Sequence, residues 1–493
     1  MTPTPRPHRL AAALVPALLA CLLPGAAGAL ERPTREPRVQ VPTAGDPGPR
    51  EAGPQRPRSR DILALPSRSQ ARPGRAADHI LVRFADSVGP DERVRLTDGL
   101  GGRAYRPAGH GSFARVEVPA GATPEQVAAG FRGHPSVLWA EVDPLVRAFQ
   151  RRVTAAAAPT DPLFSRQWHF QRIGLAEALD RNPADGDGVI VAVIDTGVAF
   201  GGGASFPSRT APDLDGTRFL PGLDLVDGGP PWDEGSGDPG AVRFGHGTFV
   251  ASIIAATVNN GAFGASVAPR VTILPVRVLG TDGFGTLSDV AEGIHFAVAE
   301  GADVINLSLG STGGASAMAE AVAAARSAGV VVVAASGNEA EDDVFDDELE
   351  GDVAFPARYE SVIAVGATDF FDARAAYSNF GPGLDIVAPG GGDNEFVDDG
   401  TIRDGVLATS FLFDPRTGNT TYAAFWGTGT SFATPHVAGV AALLVGLGIR
   451  DPDAVRESLQ QTTVDLGVPG FDEDTGDGRV DAARAHRGLG FTF

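Results

Sequence analysis

The sequence predicts an α/β protein whose main body is a doubly wound, mostly parallel sheet flanked by helices, preceded by a small α+β unit. Three observations carry this. Beyond residue 161, continuous apolar runs at 189–194, 271–279, 302–309, 330–335, 361–367 and 384–388 alternate with helical segments such as 286–300 and 316–328. Unbroken Val/Ile/Leu runs mark strands buried on both faces, the condition of parallel strands between two helical layers. Before residue 148 the apolar residues instead alternate, as in half-buried strands. Finally, 493 residues exceed the roughly 250–300 that one hydrophobic core spans, so more than one unit is needed.

Taken in order, residues 1–29 carry Arg6, His8 and Arg9, an apolar run from Leu10 to Leu23, and small residues ending Ala27-Gly28-Ala29. This is the pattern of a cleavable secretory signal, so an exported protein is expected. Pro16, Pro24 and a run shorter than the ~20 residues a bilayer requires argue against a spanning helix. The single cysteine, Cys21, follows Leu18-Leu19-Ala20, a loose likeness to a lipoprotein cleavage box. Leu19 fits that box poorly, and lipid anchoring is the lesser alternative. Cleavage after Ala29 would leave no thiol, excluding disulfides, thiolate metal sites and cysteine catalysis.

Residues 30–77, rich in Pro, Arg, Gly and Ser, lack the apolar surface to order themselves and read as a linker. From 78 to 148 the unit is α+β: strands at Ile80–Phe84, Phe113–Val118 and Val137–Val142, and a helix opened by Thr123-Pro124-Glu125-Gln126 with a capping box. Residues 149–160 have no pattern of their own and read as an accessible cleavage region. The main domain is 161–493.

Charge divides at the same join. Residues 1–160 hold 22 Arg against 14 acids, a net +8, whereas the remainder holds 18 basic and 47 acidic residues, a net −29. So acidic a domain repels nucleic acid and anionic membranes, and no partner of either kind is expected.

In a parallel sheet the chemistry sits at the carboxyl ends of strands. Asp195 ends the run Val189–Ile194 and precedes Thr196-Gly197; alone it reads as a capping residue in a loop before it reads as a catalytic one. Gly245-His246-Gly247-Thr248 places an imidazole in the first turn of an apolar helix. Alone it reads as a structural histidine or a metal ligand, although no second His follows at metal-binding spacing. Ser431, in Gly427-Thr428-Gly429-Thr430-Ser431-Phe432-Ala433-Thr434-Pro435-His436, stands behind a glycine turn at a helix N-terminus, where N–H groups and the dipole favour negative charge. A plain N-cap explains neither the glycines nor the proline. A hydroxyl is a poor nucleophile unless an imidazole takes its proton and a carboxylate orients that imidazole, and the three places supply one of each. Asn338, after the strand ending Ala334-Ala335, offers a side-chain amide for the oxyanion.

The blocks VIDTG, HGTFVAS, SLG, SGN and GTSFATPHVAG resemble the signature blocks of the subtilisin family, in the family's Asp, His, Ser order, over about residues 161–485. The resemblance implies a subtilisin-like fold behind a ferredoxin-like propeptide, and a serine endopeptidase using Asp195, His246 and Ser431 with Asn338 as oxyanion donor. It implies that Ser308, Leu309 and Gly310 pair with extended substrate, with Gly283-Phe284-Gly285 as opposite wall and a pocket floor near Ala334, Ala335 and Ala354. His436 is read as structural. It further implies no catalytic cofactor, calcium for stability through Asp161, Asp213 and Asn260, protein or peptide substrates, a monomer, and residues 79–147 as an inhibitory, chaperone-like propeptide removed within 148–160. The run Glu339–Asp352, with nine acids in fourteen residues, is longer than the family core requires. The alternatives are a catalytically inactive binding protein of the same fold, an acid-active relative with Glu for His246 and Asp for Asn338, and a metal-dependent hydrolase.

Overall fold

The computed structural model describes residues 79–148, 152–155, 163–181, 185–201, 210–231, 243–340, 351–392 and 403–488. The expected signal, the linker, Asp161 and most of the acidic run lie outside the described residues. Among those described, no helix is long and apolar enough to cross a membrane.

The amino-terminal unit runs β1 (His79–Phe84), α1 (Pro90–Gly99), β2 (Tyr105–Pro107), β3 (Ala114–Glu117), α2 (Pro124–Phe131) and β4 (Val137–Val142). Its antiparallel sheet has the order β2-β3-β1-β4. Helix α2 begins as its sequence dictates: the Thr123 hydroxyl accepts from Gln126 N–H while the Gln126 side chain accepts from Thr123 N–H. Ile80, Val82, Val116, Val127 and Phe131 close a core of this unit's own.

Two short strands follow, β5 (Leu145–Ala148) and β6 (Arg152–Ala155), and neither joins that sheet. Next come α3 (Trp168–Arg172), α4 (Leu175–Arg181), β7 (Ile190–Asp195), β8 (Arg218–Phe219), β9 (Leu223–Asp224), β10 (Arg243–Phe244), α5 (His246–Ala255), β11 (Thr272–Arg277), β12 (Phe284–Thr286), α6 (Leu287–Ala299), β13 (Val304–Leu307), β14 (Leu309–Gly310), α7 (Ser316–Ser327), β15 (Val331–Ala335), β16 (Ile363–Thr368) and β17 (Ile386–Pro389). The chain ends through β18 (Val406–Asp414), β19 (Asn419–Thr428), α8 (Thr430–Gly446), α9 (Pro452–Gln461) and α10 (Ala482–Gly488).

The six expected apolar runs became β7, β11, β13, β15, β16 and β17, all parallel, in the order β17-β16-β15-β13-β7-β11-β8 with β9 also on β11. Alternate residues point to opposite faces. Val191 and Val193 therefore pack with α5 and α8, while Ala192 and Ile194 pack with the side chains of α6 and α7. Helix α8 is buried along nearly its whole length, from Thr430 to Val445, which is why its sequence is apolar on every face. Two features went unread in the sequence. The hairpin β18–β19 pairs over nine register positions, and the patternless join 149–160 contains β6, which adds to the free edge of β19.

Candidate active site

Strand β7 delivers Asp195 to the carboxyl edge of the sheet, and α5 begins with His246 directly opposite. Their approach depends on a glycine: a Cβ at position 247 would lie 2.0 Å from the Gly197 carbonyl oxygen and 3.1 Å from Asp195 Cβ. With that space clear, Gly247 N–H donates to Thr196 Oγ1 at 2.9 Å and Ala199 N–H to Thr248 Oγ1 at 2.8 Å, lacing the loop after β7 to the first turn of α5. His246 Nδ1 then donates to Asp195 Oδ1 at 2.7 Å, and Thr196 N–H donates to the same oxygen. Both side chains are buried. A carboxylate only accepts, so Nδ1 carries a proton, and the tautomer of the neutral ring that this bond selects is the one with its lone pair on Nε2. Among the described residues Nε2 has no hydrogen-bond partner although it is buried. The ring rests against Phe432, centroids 5.5 Å apart.

Ser431 occupies the first turn of α8. The turn before it is held from beneath by Tyr377, whose hydroxyl donates towards the Gly390 and Gly391 carbonyls and accepts from Gly429 N–H. Gly429 has φ of 148°, a conformation L side chains rarely adopt. The Ser431 hydroxyl donates to the Ser308 carbonyl at 2.9 Å, and Ser308 Oγ returns a bond to the Ser431 carbonyl at 2.8 Å. The hydroxyl of the nucleophile candidate is thus turned onto the neighbouring strand end rather than bonded to Nε2.

Asn338 Oδ1 accepts from both the N–H and the hydroxyl of Thr430, at 3.0 and 2.9 Å. That fixes the amide with its NH2 end turned away from Thr430. Its loop is clamped by Glu339 Oε2, which accepts from Asn338 N–H and from the Asn379 side chain. Asn306, Tyr377 and Asn379 escaped the sequence reading, and Glu339 entered it only as the start of the acidic run. Asn306 alone left a signal, a polar residue inside the apolar β13, and its amide donates to Ser308 Oγ at 3.0 Å.

The expected substrate walls are occupied. Strand β5 lies between β12 and β14 as the middle strand of an antiparallel sheet, Arg147 opposite both Phe284 and Gly310 and Val146 opposite Gly285. Gly283 stands in the turn before this ladder, and Ser308 faces Ser431 rather than β5. Ala335 and Ala354 meet in a small apolar cluster of their own. Ala334 does not join them, because the strand's alternation turns it into the core beside Ile305 and Leu307.

The amino-terminal unit is bolted to the two helices beside this cleft. Asp143 accepts from the N–H and hydroxyl of Ser288 at the start of α6, and Glu141 accepts from Ala317 N–H at the start of α7; carboxylates there meet unpaired N–H groups and the positive dipole end. Arg115 forks between Asp289 at 2.8 Å and Glu292 at 2.9 Å, one turn apart on α6. Burial at this junction pushes the Asp289 carboxyl up to about 6 against the pull of Arg115.

His436, the second histidine of the Ser431 block, lies in a buried pair. Its Nδ1 donates to the Phe432 carbonyl, so its Nε2 accepts from His169 Nδ1 at 2.8 Å. Burial lowers the pKa of His436 to about 4, and burial together with the neighbouring ring lowers that of His169.

Asp213 and Asn260 are brought together, the Asn260 amide 3.3 Å from Asp213 Oδ1 and the Thr409 hydroxyl 2.8 Å from Oδ2. Among the described residues no group of three or more His, Cys, Asp or Glu could hold a metal, so a cation here would draw mainly on neutral oxygens. The Asn260 oxygen is itself engaged, accepting from Ala262 N–H at 2.7 Å, so the Asp213 carboxylate is the group here that suits an oxygen-seeking ion such as calcium.

A family model described as the Subtilase family matches residues 186–478. Alkaline elastase YaB of Bacillus sp. (strain YaB) is 37% identical over 70% of this chain and 76% of its own. Thermitase of Thermoactinomyces vulgaris is 37% identical over 66% of this chain and 98% of its own. The solved structure of a protease from Pseudoalteromonas arctica superposes with a TM-score of 0.55 at 34% identity, covering 67% of this chain and 99% of that one.

Proposed function

Because this chain belongs to the subtilase family, we propose that it is an exported serine endopeptidase, made as a latent precursor, with Ser431 as nucleophile, His246 as general base and acid, Asp195 as the group orienting it, and Asn338 as oxyanion donor. The observation that carries this is the buried 2.7 Å Asp195–His246 bond, with Nε2 left unpartnered among the described residues.

In the reaction, Ser431 Oγ turns from the Ser308 carbonyl and attacks the substrate carbonyl carbon as its proton passes to His246 Nε2. Asp195 stabilises the imidazolium. The oxygen that gains negative charge is met by the Asn338 NH2 and by the N–H of Ser431, which lies in the first turn of α8 where no helical carbonyl reaches it. Collapse breaks the C–N bond, Nε2 returns its proton to the leaving amine, and water repeats the steps on the acyl-enzyme. Residues 309–310 and 284–286 would hold the extended substrate.

Latency rests on β5, which already fills those walls, and on the anchors at Asp143, Glu141 and Arg115. The chain leaves the walls at Ala148 and is next paired at Arg152, on the strand leading to Ser431. These pairings support self-cleavage between Ala148 and Arg152, within the 148–160 expected from the sequence, with 79–148 as the proposed inhibitory propeptide. Sequencing the amino terminus of matured protein tests this: wild type should begin within 149–152 and Ser431→Ala should remain uncut when purified alone. A Ser431→Ala protein that matures unaided overturns self-processing. Calcium bound around Asp213 and Asn260 is proposed as a stabiliser with no part in the chemistry.

A further inference from the structure

The two proposed oxyanion donors stand on loops from distant parts of the chain, Asn338 after β15 and the Ser431 N–H at the start of α8. One buried segment, Tyr377-Ser378-Asn379, reaches both. On one side it grips the Asn338 loop. Asn379 N–H donates to the Gly337 carbonyl at 3.0 Å, the Asn379 carbonyl accepts from the Ser336 hydroxyl at 3.1 Å, and the Asn379 amide oxygen accepts from Glu339 N–H at 2.7 Å. The NH2 end of the same amide donates to Glu339 Oε2 and to the Asp352 carbonyl, each at 2.8 Å, and Glu339 Oε2 accepts in turn from Asn338 N–H. The fit is so close that a Cβ at position 337 would lie 2.3 Å from Asn379 Nδ2. On the other side, two residues away, the Tyr377 hydroxyl accepts from Gly429 N–H at 2.9 Å, beneath the turn that carries Ser431. Between the two, the Ser378 hydroxyl accepts from Ala367 N–H at 2.9 Å and pins the segment to the end of β16.

Resting on the protease reading above, we propose that Tyr377 and Asn379 are positioning residues that fix the spacing of the two oxyanion donors, Asn379 by holding the Asn338 loop and Tyr377 by holding the turn before Ser431. Neither acts on the reacting atoms directly. Donors stabilise an oxyanion only when they already point to where charge develops, and a misplacement of about 1 Å can lower a rate on the order of 10²-fold. Thr430 links Asn338 to the Ser431 turn at a single oxygen; the bonds from Tyr377 and Asn379 give both loops a common base on the central sheet. The Asn379 amide is specific for this task. Its oxygen faces an N–H while its nitrogen faces a carboxylate and a carbonyl, so it has one orientation, and neither a carboxylate nor an apolar side chain replaces it.

The test is kinetic and uses matured protein, a peptide nitroanilide, and titration with a fluorophosphonate so that kcat is expressed per active site. Asn379→Ala should lower kcat about tenfold or more, with KM within about twofold, since a displaced oxyanion donor is felt only in the transition state. Because Asn379 acts through Asn338, its loss should not exceed that of Asn338→Ala, and adding it to Asn338→Ala should change kcat by less than about twofold. Tyr377→Phe removes one hydroxyl and should lower kcat about threefold or more in both backgrounds, because its arm ends on the Ser431 turn. A merely structural role would reduce the number of titrated sites and leave kcat per site as it was. Unchanged kcat per site in either variant, an Asn379→Ala loss that persists in full without the Asn338 amide, or a Tyr377→Phe loss that disappears with it overturns the proposal. If Asn379→Ala does not mature, Glu339→Ala opens the same clamp from the loop side and is judged by the same results. Wild-type protein that titrates no site and cleaves no nitroanilide removes the protease reading itself.

Discussion

A serine at a helix start is ordinarily a cap; what distinguishes Ser431 is its surroundings. The three candidate residues were legible because Asp195 ends an apolar run while His246 and Ser431 open apolar helices, each with a glycine within two positions, a pattern with a local cause that the structure makes visible at Gly247 and Gly429. Their supports were not legible. Asn379 and Glu339 stand 40 positions apart and Tyr377 and Gly429 52 apart, so only the folded sheet makes them neighbours. Asn338 touches Thr430 as well as the proposed oxyanion position, and kinetics separates the two roles. Asn338→Ala should lower kcat by roughly 10²–10³ with little change in KM, a magnitude that belongs to subtilisin's own oxyanion amide, while Thr430→Ala costs far less. Equal losses in both would reduce Asn338 to a tether for Thr430.

At the level of elements, the strands of the central sheet could be read because burial on two faces writes an unbroken apolar run. The capping box of α2 could be read because its bonds are local. Strand β6 could not, since Arg152–Ala155 is extended only because β19 has an open edge, and the partner lies more than 250 residues away. Asp213 makes a further junction that no local pattern reveals, joining its own turn, the 257–264 loop and β18 through Thr409 and the Gly264 N–H. A cation there would stabilise in proportion to its occupancy. In Ser431→Ala protein, saturating calcium should raise the thermal midpoint by roughly 5–10 °C over chelator, the scale for a ligand near one hundred times its Kd, and Asp213→Asn should shrink that gap. Identical midpoints with and without chelator would remove calcium from this site.

For the molecule as a whole, the acidic main domain and the anchoring of the amino-terminal unit on α6 and α7 fit export in latent form, and a sheet of parallel, long-range pairings is intrinsically slow to fold without help. The buried His169–His436 pair ties stability to pH. Both rings are held below their ordinary pKa, so the unfolded chain binds more protons wherever pH lies between about 4 and 6.5. Their contribution is therefore complete above about pH 6.5 and is lost as pH falls towards 4, on the order of 3 kcal/mol for His436 from its shift to about 4. Thermal midpoints of Ser431→Ala protein should decline over that window, and His169→Gln should make the decline shallower; an unchanged slope would detach the pair from acid sensitivity.

The proposed mechanism makes Ser431 a nucleophile activated by His246 and Asp195. Labelling matured protein with a fluorophosphonate probe and mapping the adduct by mass spectrometry tests it most directly. One adduct per chain is predicted, on Ser431, absent in Ser431→Ala and slowed by about 10³-fold or more in His246→Ala. Matured protein that takes no label, or that labels as fast without His246, would contradict it.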